Sequence, residues 1–161
     1  MRTLKVLIGG LAFPEGPRWH DGKFVFSDMH AHQVLAVDMA GKSSVLCEVP
    51  ARPSGLGWLP DGRMLVVSMT DRKLMRLDRD GLKTVADVSK LAPFDCNDMV
   101  TDSKGRSYIG IILDNYGSCS GACAPTEIDV ASFQIGLPFI QCGNSWFDTS
   151  CLHNIKIGHR L

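Results

Sequence analysis

The chain has 161 residues, room for one ordinary domain or part of a larger one. With 45% hydrophobic and 21% charged residues, its composition is that of a globular protein and excludes wholesale disorder. Seventeen basic residues balance seventeen acidic ones, and this zero formal charge excludes an electrostatic footprint for nucleic acid or an anionic membrane.

The first apolar stretch, Val6 to Pro14, is interrupted by two glycines and is too short to span a bilayer. It lacks the compact apolar segment and small-residue cleavage site of a secretory signal, so the expected compartment is the cytoplasm. Beyond it the sequence repeats. Asp21-Gly22-Lys23-Phe24-Val25-Phe26-Ser27-Asp28-Met29 returns forty positions later as Asp61-Gly62-Arg63-Met64-Leu65-Val66-Val67-Ser68-Met69. Val34 to Asp38 is answered at the same offset by Leu74 to Asp78, and Gly41 by Gly81. A third copy begins with Met99-Val100-Thr101-Asp102 and continues through Gly105 to Ile109.

Each copy predicts short strands joined by tight turns. Asp21-Gly22 and Asp61-Gly62 are hairpin signals, and Phe24-Val25-Phe26 and Met64 to Val67 are β-prone apolar runs. Asp38 to Gly41 and Asp78 to Gly81 mark a second turn in each copy, followed by Ser44-Val45-Leu46 and Thr84-Val85-Ala86. No segment carries a sustained 3.6-residue apolar stripe, so the expected class is all-β. A period near forty with four strands per unit is the pattern of propeller blades; a sandwich of irregular hairpins does not demand a fixed offset. Two full units and a partial third are fewer than a ring needs. Either the remaining residues add structure, or two chains complete one ring, or the sequence is incomplete. The open array leaves exposed strand edges, which makes a homodimer through those edges the expected partner arrangement.

The motifs carry a resemblance. Phe13-Pro14-Glu15-Gly16-Pro17-Arg18-Trp19, then Phe26-Ser27-Asp28, resembles the opening of the SMP-30/gluconolactonase (regucalcin-type) family. Pro53 to Arg63 resembles its next blade, and Cys96-Asn97-Asp98-Met99-Val100-Thr101-Asp102 with Gly105-Arg106 the third. The resemblance implies a six-bladed propeller, here about its first three blades, with a divalent cation (calcium, magnesium, manganese or zinc) in the central channel. It implies hydrolysis of a small-molecule lactone, with Glu15 as a metal ligand. Asn97 is implied as a further ligand and a catalytic and substrate-contacting group, with Asp98 as a catalytic candidate beside it. Glu15 has an alternative as a turn residue paired with Arg18, and Asn97 and Asp98 as ordinary turn residues. The family's later Phe-Pro-Asn-Gly motif and pocket aspartate do not occur after residue 110, and Asp95 stands where some members carry a substrate-binding arginine. These departures imply impaired activity. The alternative is a non-catalytic half-propeller or an interaction module.

Composition breaks near residue 110. Residues 1–110 hold 28 of the 34 charged residues, whereas four of the six cysteines follow. The expected organisation is therefore a partial propeller over 1–110 and a divergent, cysteine-rich tail over 111–161, of the kind a frameshift or truncation produces. A natural appendage is the alternative. Gly117-Ser118-Cys119-Ser120-Gly121 has nucleophile-elbow spacing, but Pro125 interrupts the helix such an elbow needs. Cys119, Cys123, Cys142, Cys151 and His153 have poor zinc spacing, so reduced thiols are expected. His20, His30 and His32 lie in or beside predicted turns and receive no role. Cys96 is expected as a small buried residue, and Trp19 and Trp58 as packing between blades.

Overall fold

A computed structural model describes residues 6–112 and three further strands at 126–129, 134–135 and 139–141. The first repeat is a four-stranded antiparallel meander of β1 (Pro14–His20), β2 (Lys23–Asp28), β3 (Gln33–Val37) and β4 (Ser43–Glu48). The second repeats the order with β5 (Pro53–Trp58), β6 (Met64–Ser68), β7 (Lys73–Asp78) and β8 (Gly81–Asp87). A third sheet starts with β9 (Cys96–Thr101) against β10 (Arg106–Ile112). There β11 (Thr126–Asp129) pairs antiparallel with β10, and β12 (Gln134–Ile135) with β11. Finally β13 (Phe139–Gln141) runs parallel to Gly110–Ile112, a pairing absent from the first two sheets. Among the described residues no helix is long and apolar enough to cross a membrane.

Repeat-equivalent turns are built differently. Asp21 (φ 46°) and Gly22 (φ 74°) form a two-residue turn with both residues left-handed, joining His20 to Lys23 as the Asp-Gly signal predicts. In the second blade the loop is longer: the Gly62 N–H donates to Leu59, and the Asp61 carboxylate accepts from the Arg63 N–H.

Strand alternation sorts the core into two layers between blades. Met64 and Val66 of β6 pack toward the first blade with Val25, Val34, Ala36, Val49 and Leu56. Leu65 and Val67, one residue out of phase, pack toward the third with Leu74, Met99, Ile109 and Ile111. β6 is buried on both faces, which is why its run is continuously apolar. A third cluster on the outward face of the first blade joins Phe26, Leu35 and Val37 to Leu7, Ile8 and Leu11. Trp58 meets expectation by stacking on His20 at 4.1 Å between ring centres. Trp19 does not. It is 56% exposed and meets Phe24 edge-on, because alternation along β1 turns it to the opposite face from His20.

Candidate functional site

β5 lies against both β1 and β9, so these three strands are the inner edges of the blades. Each carries one extra residue relative to its partner strand: between Glu15 and Arg18 in β1, Pro53 and Leu56 in β5, and Cys96 and Met99 in β9. Such bulges break the strand alternation and re-aim side chains. Here they turn Glu15, Ser54 and Asn97 toward one another. Gly16, at φ 58°, supplies the left-handed residue in the first bulge.

Ser54, fully buried, is the centre of the cluster. Its hydroxyl donates to Asn97 Oδ1 at 2.9 Å and also reaches the Glu15 carboxylate. Its carbonyl accepts from the Ser27 hydroxyl at 2.6 Å, tying β5 to β2. Burial raises the Glu15 carboxyl above its ordinary range; the Ser54 hydrogen bond opposes that, and the Asp98 charge adds to it. Glu15 Oε1 is buried without a hydrogen-bond partner.

Arg18 does not pair with Glu15. Its Nη2 donates to Asp98 Oδ1 at 2.7 Å and to the Met99 carbonyl at 2.8 Å, fastening β1 across to β9. Asp98 Oδ1 also accepts from the Met99 N–H. The buried Asp28 carboxylate accepts from the N–H groups of Ala12 and Phe13, holding the chain that leads into Glu15. Cys96 is buried as expected, and burial pushes its thiol up to about 12. The sequence reading passed over Ser54 and Asp28. The signal for Ser54 was its position one blade after Glu15, 39 residues along a forty-residue repeat.

A hard divalent cation fits this chemistry in part. Glu15 Oε1 is a buried carboxylate oxygen without a hydrogen-bond partner, and the Asn97 amide oxygen belongs to the same cluster through Ser54. Among the described residues no three His, Cys, Asp or Glu side chains form a metal-holding group. Water, or residues outside those described, has to complete the shell. The Gly117–Gly121 stretch and Cys119, Cys123, Cys142, Cys151 and His153 lie outside the described residues.

Four-stranded meanders packed face to face, with inner strands converging on a polar cluster, define the first part of a β-propeller. The chain belongs to the SMP-30/gluconolactonase/LRE-like family, whose profile matches residues 13–131. Among solved structures it is similar to a gluconolactonase from Xanthomonas campestris, with a TM-score of 0.62 and 19% identity, covering 80% of this chain and 48% of that one. It is also similar to regucalcin, a calcium-binding protein from Agrobacterium tumefaciens C58, with a TM-score of 0.64 and 20% identity, covering 83% of this chain and 45% of that one. Virginiamycin B lyase from Staphylococcus aureus follows with a TM-score of 0.59 and 15% identity, covering 81% and 42%. At such identities the likeness shows the β-propeller fold alone. The chain spans a little under half the length of these three proteins. No curated protein gives a significant match.

Proposed function

We propose that this chain takes part in divalent-cation-dependent hydrolysis of a lactone, a cyclic ester. The observation that carries this reading is Glu15 Oε1, a buried carboxylate oxygen without a partner, beside Asn97 on the inner strands. Membership of the family supports it. A divalent cation held by Glu15 and Asn97 supplies Lewis-acid polarisation of the ester carbonyl and activation of water. Glu15 contributes the negative charge, and the proton that burial favours on it competes with the cation. Asn97 contributes a neutral oxygen held in place by Ser54 and faces the substrate. Asp98, balanced by Arg18, adds a supporting charge next to Glu15. Two protein oxygens are fewer than the about six to eight that calcium takes, so the reading includes weak cation affinity and impaired turnover.

The test is gluconolactone hydrolysis in a pH-stat with calcium, magnesium, manganese or zinc. Cation-stimulated ring opening that Glu15→Gln abolishes is the expected result. Folded wild-type protein that adds nothing to the uncatalysed rate under any of the four cations overturns the reading.

A second reading concerns partners. The first blade's outward face exposes Trp19 and Phe24, and Val100 is 61% exposed on the third. We infer that a second copy covers these exposed apolar side chains. Light scattering decides it: a dimer is expected, and a monomer at tens of micromolar refutes it.

A further inference from the structure

Asp28 ends β2 as a buried carboxylate, and backbone rather than a cation meets it. It accepts from the Phe13 N–H at 2.6 Å and from the Ala12 N–H at 3.0 and 3.1 Å. Such charge-assisted bonds are what make a carboxylate tolerable away from water. The second blade shows what they replace. Pro14 pairs with Asp28 as Pro53 pairs with Ser68, so Phe13 corresponds to Arg52. Both blades close the same backbone bond, from the Met29 N–H to the Phe13 carbonyl and from the Met69 N–H to the Arg52 carbonyl, each at 2.9 Å. The other bond differs. Arg52 donates its N–H to the Val49 carbonyl within the turn that leaves β4, whereas Phe13 donates to the Asp28 carboxylate. Ser68 suffices in the second blade, so the strand pairing itself does not demand a carboxylate at this position.

We propose that Asp28 is a positioning residue for Glu15: its carboxylate fixes the backbone of Ala12 and Phe13, and through it the place of the Glu15 side chain among the inner strands. Glu15 needs such support. Pro14, just before it, has no N–H to add to the ladder, and the register shifts directly after it. The end of β2 supplies the missing constraints from three consecutive residues. Asp28 holds two N–H groups, Met29 holds the Phe13 carbonyl, and the His30 ring stacks on Phe13 at 5.0 Å between ring centres. Ser27 donates to the Ser54 carbonyl, so one strand end sets the places of both β1 and β5. The proposal rests on the lactonase reading only for the identity of what Glu15 holds.

The experiment uses the full chain with Asp28→Ser, which installs the second blade's residue, with Asp28→Asn, and with Leu74→Ala as a remote control that also lowers stability. Ala12 and Phe13 are exposed, so slow exchange of their amide protons in metal-free protein reports the Asp28 bonds directly. Slow exchange is expected in the wild type, and about tenfold or more faster exchange in Asp28→Ser. Asp28→Asn keeps the shape and one acceptor oxygen, is expected to lie between, and decides if the serine variant does not fold. Wild-type amides that exchange as fast as free peptide overturn the proposal, as does unchanged protection in a folded variant. Nuclear Overhauser contacts between the Glu15 and Ser54 side chains are expected to weaken in Asp28→Ser and to persist in Leu74→Ala. Calorimetric titration with manganese or calcium then reads the consequence. Asp28→Ser is expected to weaken binding by about tenfold or more, and Leu74→Ala to stay within about threefold. Equal losses in the two mean that Asp28 acts through stability alone and overturn the proposal. If wild-type protein binds neither cation, the lactonase reading fails, and amide exchange with the Glu15 contacts alone decides on Asp28.

Discussion

Gly55 couples the fold to the site, and its replacement by alanine tests both. A β-carbon there would meet the Met99 amide nitrogen, the Asp98 carbonyl carbon at 2.7 Å and the Asp98 α-carbon at 2.9 Å. All three are backbone atoms of β9, so no side-chain rotation relieves the overlap. β5 has to move away from β9, and the packing of Leu65 and Val67 on Met99 and Ile109 loosens with it. Overpacking of this kind costs about 1–3 kcal/mol. For a folded unit of roughly 100 residues each kcal/mol lowers the melting temperature by about 4–8 °C. Gly9→Ala is the control, since nothing lies within 4 Å of a β-carbon added there, and its effect is expected to stay within about 0.5 kcal/mol. Urea unfolding of the two variants beside the wild type gives the comparison. The same displacement pulls Ser54 away from Asn97, so cation uptake weakens with stability in Gly55→Ala alone. If Gly55→Ala unfolds with Gly9→Ala, the inner strands do not approach as closely as argued, and the site assembled from them is wrong.

Four further outcomes are expected. The Glu15 carboxyl is raised in the folded chain, so folding in the absence of cation opposes its ionisation. Glu15→Gln is therefore more stable than wild type at neutral pH, and the gap closes as pH falls below the unfolded carboxyl range; urea midpoints at pH 4 and 8 show it, and a constant gap refutes it. Leu74, fully buried between the second and third blades, loses about 2–5 kcal/mol on replacement by alanine, whereas exposed Val100→Ala stays within about 0.5 kcal/mol in thermal unfolding. Arg18→Ala removes both the Asp98 and Met99 bonds and costs about 1–2 kcal/mol; a double-mutant cycle with Asp98→Asn that shows no coupling disproves the cross-strand tie. Burial pushes the Cys47 thiol to about 11 and Cys96 to about 12, so both alkylate at pH 8 far more slowly in the native protein than in urea, as peptide mass spectrometry resolves.

The blades were legible because their causes are local. In the first blade the Asp21-Gly22 pair selects a two-residue turn, short β-prone apolar runs select strands, and the forty-residue offset repeats the strand order. Glu15 and Asn97 were legible as pocket residues only through the family likeness, with Cys96 read as a small buried residue next to them. The sequence reading missed the side on which Trp19 stands, since one β1 bulge shifts the phase of everything after Glu15.

Sequence alone determined the all-β class, the forty-residue repeat and the family. Tertiary structure decided which residues meet. Arg18 has two carboxylates only three positions away along the chain, Glu15 and Asp21, yet it pairs with Asp98, eighty positions away. Ser54 resembles any small strand residue until β1, β5 and β9 close around it. Pairing across blades depends on where three bulged strands converge, and no local propensity encodes that distance.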